Sequence, residues 1–340
     1  MKQVYYILFL VVIIFGMLNP SLLMGSSVGK DKESAVFTAA DLLRTKRLSE
    51  VKISPDGHWI AYTIQVQRRS TEKAGSAYRK LYLMSLKTKQ SRPFVTGHVS
   101  VANIKWHPQS SHLGYIRKNR DGKRQVWIIP VDGGEGIPVT DSKTGVRDFE
   151  WFPGGKQIAF TAVEAPSKRD KKLKKLGYGF IFFEEKIPHV HLYRTSIERN
   201  HRVRKVIQLT NDVSVYRFQI SPDGKSIAAA VAKKNLIDHQ YMFTKIKLID
   251  LTSGKLQPMS GNAGKLGSFR FSPDGRHLLY TAALDQSDHA VSQLFVRGIG
   301  DKKSINLTIS DFRGHIDWGI WKSNRLIYYH AKEGMQTVLR

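Results

Sequence analysis

An all-β chain folded as a β-propeller is what this sequence predicts, from a recurring turn, its spacing and the strand-like runs on either side of it. The turn Ser-Pro-Asp-Gly occurs at 54–57, 221–224 and 272–275, with degenerate copies at His107-Pro108-Gln109-Ser110 and Phe152-Pro153-Gly154-Gly155. The prolines of these turns, Pro55, Pro108, Pro153, Pro222 and Pro273, are 53, 45, 69 and 51 residues apart. A sixth copy, Trp321 to Tyr328, lacks Pro-Asp-Gly but keeps the apolar run Leu326-Ile327-Tyr328. Periods of roughly 40–50 residues mark repeated supersecondary units, and four short strands per repeat make a propeller blade. About six four-stranded blades are expected, the last of them incomplete.

Each element has a local reason. Proline presets φ at the first turn position, Asp tolerates the bridge region, and Gly supplies a positive φ where the next strand begins. Every turn leads into an apolar run such as Trp59-Ile60-Ala61-Tyr62, Ile158-Ala159-Phe160 or Leu278-Leu279-Tyr280. This strand is apolar on both faces and is expected beside the crowded axis. A third strand follows at Leu81–Met84, Val126–Ile129, His191–Tyr193, Ile246–Ile249 and Gln293–Val296. A shorter, more polar fourth run at Pro93–Thr96, Ile137–Thr140, Ile207–Thr210 or Ile305–Thr308 suits a sheet edge. A two-sheet sandwich would also space strands this way, but it has no reason to repeat one turn at blade intervals. The turn aspartates lie in different sheets, so they serve backbone geometry rather than a metal.

Composition narrows the function. The chain is 41% apolar and 10% aromatic, as a globular protein should be. Its net charge of +26 raises nucleic acid or an acidic membrane surface as partners. No zinc finger, helix-turn-helix or RNA-binding signature accompanies that charge, and no nucleic acid is expected. The one concentrated basic run, Lys168 to Lys175, reads as a solvated loop. Cysteine is absent, which excludes disulfides and thiolate metal sites. Neither a metal nor a cofactor is expected.

Residues 1–27 read as a signal peptide or a membrane anchor: no charge appears between Lys2 and Lys30, and Val4 to Leu18 is almost wholly apolar. Asn19-Pro20 interrupts the apolar run, which favours the signal peptide. Either way the bulk of the chain is expected to be exported, periplasmic or secreted, meeting a membrane only through an uncleaved segment. Residues 28–47 form a linker and a short helix opened by a capping box, Thr38 to Asp41. Blades fill 48–340, with an insertion at about 164–188 in the oversized third repeat, a candidate for contacts with something else.

The segment Phe37-Thr38-Ala39-Ala40-Asp41-Leu42-Leu43, then Lys46-Arg47-Leu48-Ser49 and Ile53-Ser54-Pro55-Asp56-Gly57, resembles the start of exported prolyl oligopeptidase-family serine peptidases. The acylaminoacyl-peptidase and dipeptidyl-peptidase-like branch is the most similar. The charged insertion ahead of the strand His191-Leu192-Tyr193 resembles theirs too, and the likeness covers residues 37–340. It implies a propeller that gates and selects peptide substrates for a C-terminal α/β-hydrolase domain bearing a Ser, Asp, His triad. That domain is missing from this sequence, so no catalytic residue is assigned and the chain is expected to be inactive alone. The alternative is a non-catalytic periplasmic propeller for protein binding, like that of the Tol system. An intracellular WD-type scaffold fits less well, because no Trp-Asp dipeptide occurs.

Three groups invite chemistry. Gly25-Ser26-Ser27-Val28-Gly29 matches a nucleophile elbow by letter, but it lacks the flanking strand and helix that such a turn requires. His189 and His191 share a strand face without a third ligand nearby in sequence, so they read as core or surface histidines. The resemblance gives Glu184 and Glu185 another role. In dipeptidyl-peptidase relatives, two acidic residues of a propeller insertion hold the free amino terminus of the substrate, for which carboxylates suit an ammonium group.

Overall fold

The computed structural model describes residues 36–180, 184, 187–197 and 206–340. The signal or anchor segment and Glu185 lie outside them. The chain divides into two compact units, residues 1–45 and 46–340. The first contributes the helix α1 (Ala39–Arg44), where the Asp41 carboxylate accepts from the Thr38 amide at 2.9 Å and its hydroxyl at 2.7 Å.

The second unit is six antiparallel sheets in chain order. The first holds β1 (Arg47–Ile53), β2 (Trp59–Val66), β3 (Tyr78–Ser85) and β4 (Ser91–Val95), and the second β5 (Ala102–Trp106), β6 (His112–Lys118), β7 (Arg124–Pro130) and β8 (Ile137–Pro138). In the third are β9 (Val146–Trp151), β10 (Gln157–Val163), β11 (Val190–Ser196) and β12 (Ile207–Gln208), with the helix α2 (Lys168–Lys175) inserted between β10 and β11. The fourth holds β13 (Ser214–Ile220), β14 (Ser226–Ala232), the short helix α3 (Ile237–Tyr241), β15 (Lys245–Asp250) and β16 (Leu256–Pro258). In the fifth are β17 (Leu266–Phe271), β18 (His277–Ala283), β19 (Ser292–Gly298) and β20 (Ile305–Asn306). The sixth has three strands, β21 (Gly314–Ser323), β22 (Leu326–Glu333) and β23 (Gln336–Leu339).

Packing distinguishes this arrangement from a sandwich. Apolar clusters lie between successive sheets: Leu81 and Leu83 meet Ile104 and Leu113, and Ile128 meets Phe149 and Phe160. Along β14, Ile227, Ala229 and Val231 pack toward the third sheet while Ala228 and Ala230 pack toward the fifth. Strand side chains alternate between faces, so a sheet covered on both sides must be apolar at every position. That is why the second strand of each blade reads as an unbroken apolar run. It is not the innermost strand, contrary to the sequence-based expectation. Neighbouring sheets meet at their first strands, β1 with β5, β5 with β9, β9 with β13 and β17 with β21, as well as through later strands, and the first strands carry charged residues.

The recurring turn is a closed hydrogen-bond motif. Ser221 Oγ donates to Asp223 Oδ1 at 2.6 Å and accepts from the Ser226 amide at 2.9 Å, while Asp223 Oδ1 accepts from the Lys225 amide at 3.0 Å. Ser272, Asp274, Arg276 and His277 repeat it. Hydrogen bonds from Ser221 and the Lys225 amide hold the Asp223 carboxyl below its ordinary range. Gly224 takes φ +71°, and a Cβ there would rest 3.4 Å from the ring of Pro153 in the preceding turn, so successive turns stack. Among the described residues, no acidic and histidine side chains group as a metal site would require.

At the outer edge, hydroxyls continue the ladder where the short fourth strands stop. Thr140, Thr210, Ser260 and Thr308 accept from the amides of Val126, Leu192, Ile246 and Leu294 at 2.8–3.0 Å. The basic run expected to be a loop is the helix α2. Ser167 Oγ accepts from the Asp170 amide at 3.0 Å and donates to its carboxylate at 2.6 Å, which caps the first turn. No residue of α2 is buried, as expected of a charge run, and only Leu173 is half-covered.

Candidate functional site

The innermost strands form a polar seam, and its sequence position is regular. The residue three before each turn proline is Lys52, Lys105, Glu150, Gln219 or Arg270. Two clasps use this position. Where the next blade has a tryptophan at or near the end of its first strand, the indole donates to the backbone carbonyl: Trp106 to Lys52 at 2.9 Å, Trp151 to Lys105 at 3.3 Å, and Trp321 to Arg270 at 3.2 Å. In the blades that have Ile220 or Phe271 instead, the side chain accepts from the following blade's amide. Glu150 takes the Ile220 N–H and Gln219 takes the Phe271 N–H, each at 3.0 Å.

Charge concentrates where β5 meets β9. Lys105 Nζ stands 3.2 Å from Asp148 and 3.6 Å from Glu150. Asp148 Oδ1 also accepts from the side-chain amide of Asn103 at 3.2 Å. Asn103 holds φ +52° at an irregularity between β5 and β6, a left-handed conformation that Asn tolerates better than most residues. The Glu50 carboxylate receives the amides of Asn103 and Ile104 at 3.0 and 2.9 Å. Burial raises the Glu150 carboxyl above its ordinary range, and Lys105 and, more weakly, Arg270 oppose that rise. The array is a half-buried ion network. It offers no nucleophile.

Serine and histidine do meet elsewhere, without forming a triad. His189 Nδ1 lies 3.0 Å from Ser214 Oγ, but Ser214 is completely buried and beyond a substrate's reach. Ser111 Oγ is 3.0 Å from His107 Nδ1, and the other nitrogen of that ring faces the Gly155 carbonyl at 3.2 Å rather than an acid. His191 is buried beside Thr210, and desolvation lowers its pKa. The serine of the Gly-x-Ser-x-Gly match lies outside the described residues.

Glu184 is exposed in the insertion after α2 and holds φ +62°. Its neighbour Glu185 is outside the described residues, so the pair is not seen together. The same insertion exposes Leu176, Tyr178 and Phe180. Its end is tied to the fourth blade, where Asn235 donates to the Pro188 carbonyl at 2.7 Å. Sequence reading missed the seam, although the polar residue three before each proline was the available signal.

No family model matches the chain. Among curated proteins, it is 22% identical over 255 residues to an uncharacterized peptidase, YuxL, of Bacillus subtilis, covering 75% of this chain and 32% of that protein. It is likewise 22% identical over 340 residues to dipeptidyl-peptidase 5 of Porphyromonas gingivalis, covering 93% of this chain and 48% of that protein. The chain thus spans a third to a half of the length of these two relatives. Among solved structures, the acylaminoacyl peptidase of Pyrococcus horikoshii aligns with TM-score 0.60 at 14% identity, over 88% of this chain and 45% of that one. The β-propeller domain of the Trilobed protease from Pyrococcus furiosus aligns with TM-score 0.56 at 13% identity, over 86% and 81%. The chain is a β-propeller homologous to part of these peptidases, and the resemblance to the prolyl oligopeptidase family is borne out.

Proposed function

We propose that this chain is the propeller that screens peptide substrates for an exported serine peptidase whose catalytic groups reside in an α/β-hydrolase domain. The observation that carries the reading is the charged seam on the innermost strands, Lys105, Asp148 and Glu150, in a fold homologous to part of known peptidases. An extended peptide passing along such a seam meets fixed charges, while a folded protein is excluded by size. In this reading the chain alone hydrolyses nothing.

The test uses the propeller joined to a hydrolase domain, with peptides of graded length. Lys105→Ala with Glu150→Ala should raise kcat/KM for long peptides relative to dipeptide amides. An unchanged ratio would sink the gating role. Glu184 and Glu185 of the insertion are assigned to the substrate's amino terminus by their resemblance to the acidic pair of dipeptidyl-peptidase relatives. Replacing both with Gln should raise KM for free amino termini and leave acylated peptides unaffected, whereas equal kinetics for both would remove that assignment.

A further inference from the structure

A cleft of about 750 Å³ opens between the first two sheets and reaches Asn103 at the edge of the Lys105–Glu150 seam. It is lined by Arg68, Arg79, Arg117, Lys118 and Arg124, and no Asp or Glu is among its lining residues. The floor is the buried ring of Tyr78, on which His98 stacks at 5.1 Å and over which the Arg68 guanidinium sits at 4.5 Å.

These cations differ in how far they are satisfied. Arg68 is tied down, donating to the Ser76 carbonyl at 2.9 Å and the Tyr78 hydroxyl at 3.0 Å. Arg117 lies over the Trp127 ring at 4.6 Å, and Arg124 donates to the Arg147 carbonyl at 3.2 Å. Arg79, half-buried on β3, has no acceptor for its side chain among the described residues. The nearby acids already have partners: Glu72 pairs with His98 at the cleft wall at 3.2 Å, and Asp148 with Lys105 and Asn103. Burial, with the like charges of Arg79 and Arg147, depresses the Arg124 guanidinium despite the opposing charge of Asp148. Gathering guanidinium groups without a carboxylate is costly unless an anion joins them, and their planar forks match oxyanions in bidentate fashion.

We infer that this cleft binds a small ligand carrying carboxylate or phosphate oxyanions, held by Arg79, Arg117 and Arg124 over the Tyr78–His98 pair. The inference stands apart from the peptidase reading, since it needs neither a hydrolase domain nor the seam.

Calorimetric titration of the full chain, at a fixed ionic strength of about 0.15 M to screen diffuse attraction, would use two probes: inorganic phosphate and an amidated tetraglutamate peptide. Saturable binding of one probe is expected, and the better one identifies the source of the oxyanion. Arg79→Gln with Arg124→Gln should weaken it about tenfold or more. Lys171→Gln with Lys172→Gln, which removes the same charge from α2, should leave it intact. Arg117→Lys, which keeps the charge but loses the fork, gives a milder variant should the double one fail to fold by circular dichroism, and it should also weaken binding. The site is overturned by any of three results: neither probe saturates, the α2 variant loses as much affinity as the cleft variant, or Arg117→Lys binds like the parent.

Discussion

The carboxylate of Glu150 accepts the backbone N–H of Ile220 at 3.0 Å, joining the innermost strands of the third and fourth blades across 70 residues of sequence. Burial keeps that carboxyl above its ordinary pKa of 4.5. A raised acid is stabilising while protonated, so its contribution is present below 4.5 and is lost as pH rises through the folded value. Glu150→Gln keeps an acceptor without the charge and should match or exceed the parent at neutral pH. Glu150→Ala strands the Ile220 amide and should cost about 1–3 kcal/mol in urea unfolding. Equal losses for the two would contradict the clasp.

Trp151→Phe keeps an aromatic ring against His107, at 4.8 Å in the parent, but removes the indole donor to Lys105 along with part of the packed ring. A loss of about 1 kcal/mol is expected, readable as a lower urea midpoint with an unchanged slope.

Ser221→Ala breaks the turn motif twice, removing the acceptor for Ser226 and the donor to Asp223. The cost should be about 1–2 kcal/mol. Ser221→Thr retains both partners and should recover most of that loss.

Gly114 sits on β6 where a Cβ would stand 2.8 Å from the Phe149 ring of the next blade. Both the strand and the ring are buried, so neither can yield freely. Gly114→Ala should destabilise by about 1–3 kcal/mol, measured by thermal unfolding, while Gly114→Ala with Phe149→Leu should restore part of it.

His107 and His191 are held below their ordinary pKa of 6.5, chiefly by burial. Below 6.5 the unfolded chain takes up protons that the folded one refuses, so stability should fall as pH drops from 6.5 toward the folded values. A urea midpoint measured between these limits should decline less steeply in His107→Asn and His191→Asn than in the parent. An identical slope would mean that neither histidine is shielded.

Much of this architecture was legible because proline, aspartate and glycine each have a backbone reason to sit in the turn, and a full or degenerate copy of it recurs in five of the six blades. The seam was harder to see because what recurs from blade to blade is a strand position and not a residue type: Lys105 contributes its carbonyl, whereas Glu150 and Gln219 contribute side-chain oxygens. The strand of Trp59 to Tyr62 was placed too far inward because an apolar run signals two covered faces, and neighbouring sheets supply those as readily as an axis does. The helix α2 was read as a loop from its charge, although Ser167-Lys168-Arg169-Asp170 carries the capping pattern of a helix start. Strand β16, three residues long, leaves almost no pattern to find.

Since apolar clusters are shared between adjoining sheets, hydrophobic cohesion in this unit runs in series, like that of a stacked repeat. Damage at one contact should therefore travel only as far as its two flanking blades. Hydrogen exchange in Gly114→Ala would accelerate first across β6 and β10, with β18 keeping its protection until the whole stack gives way.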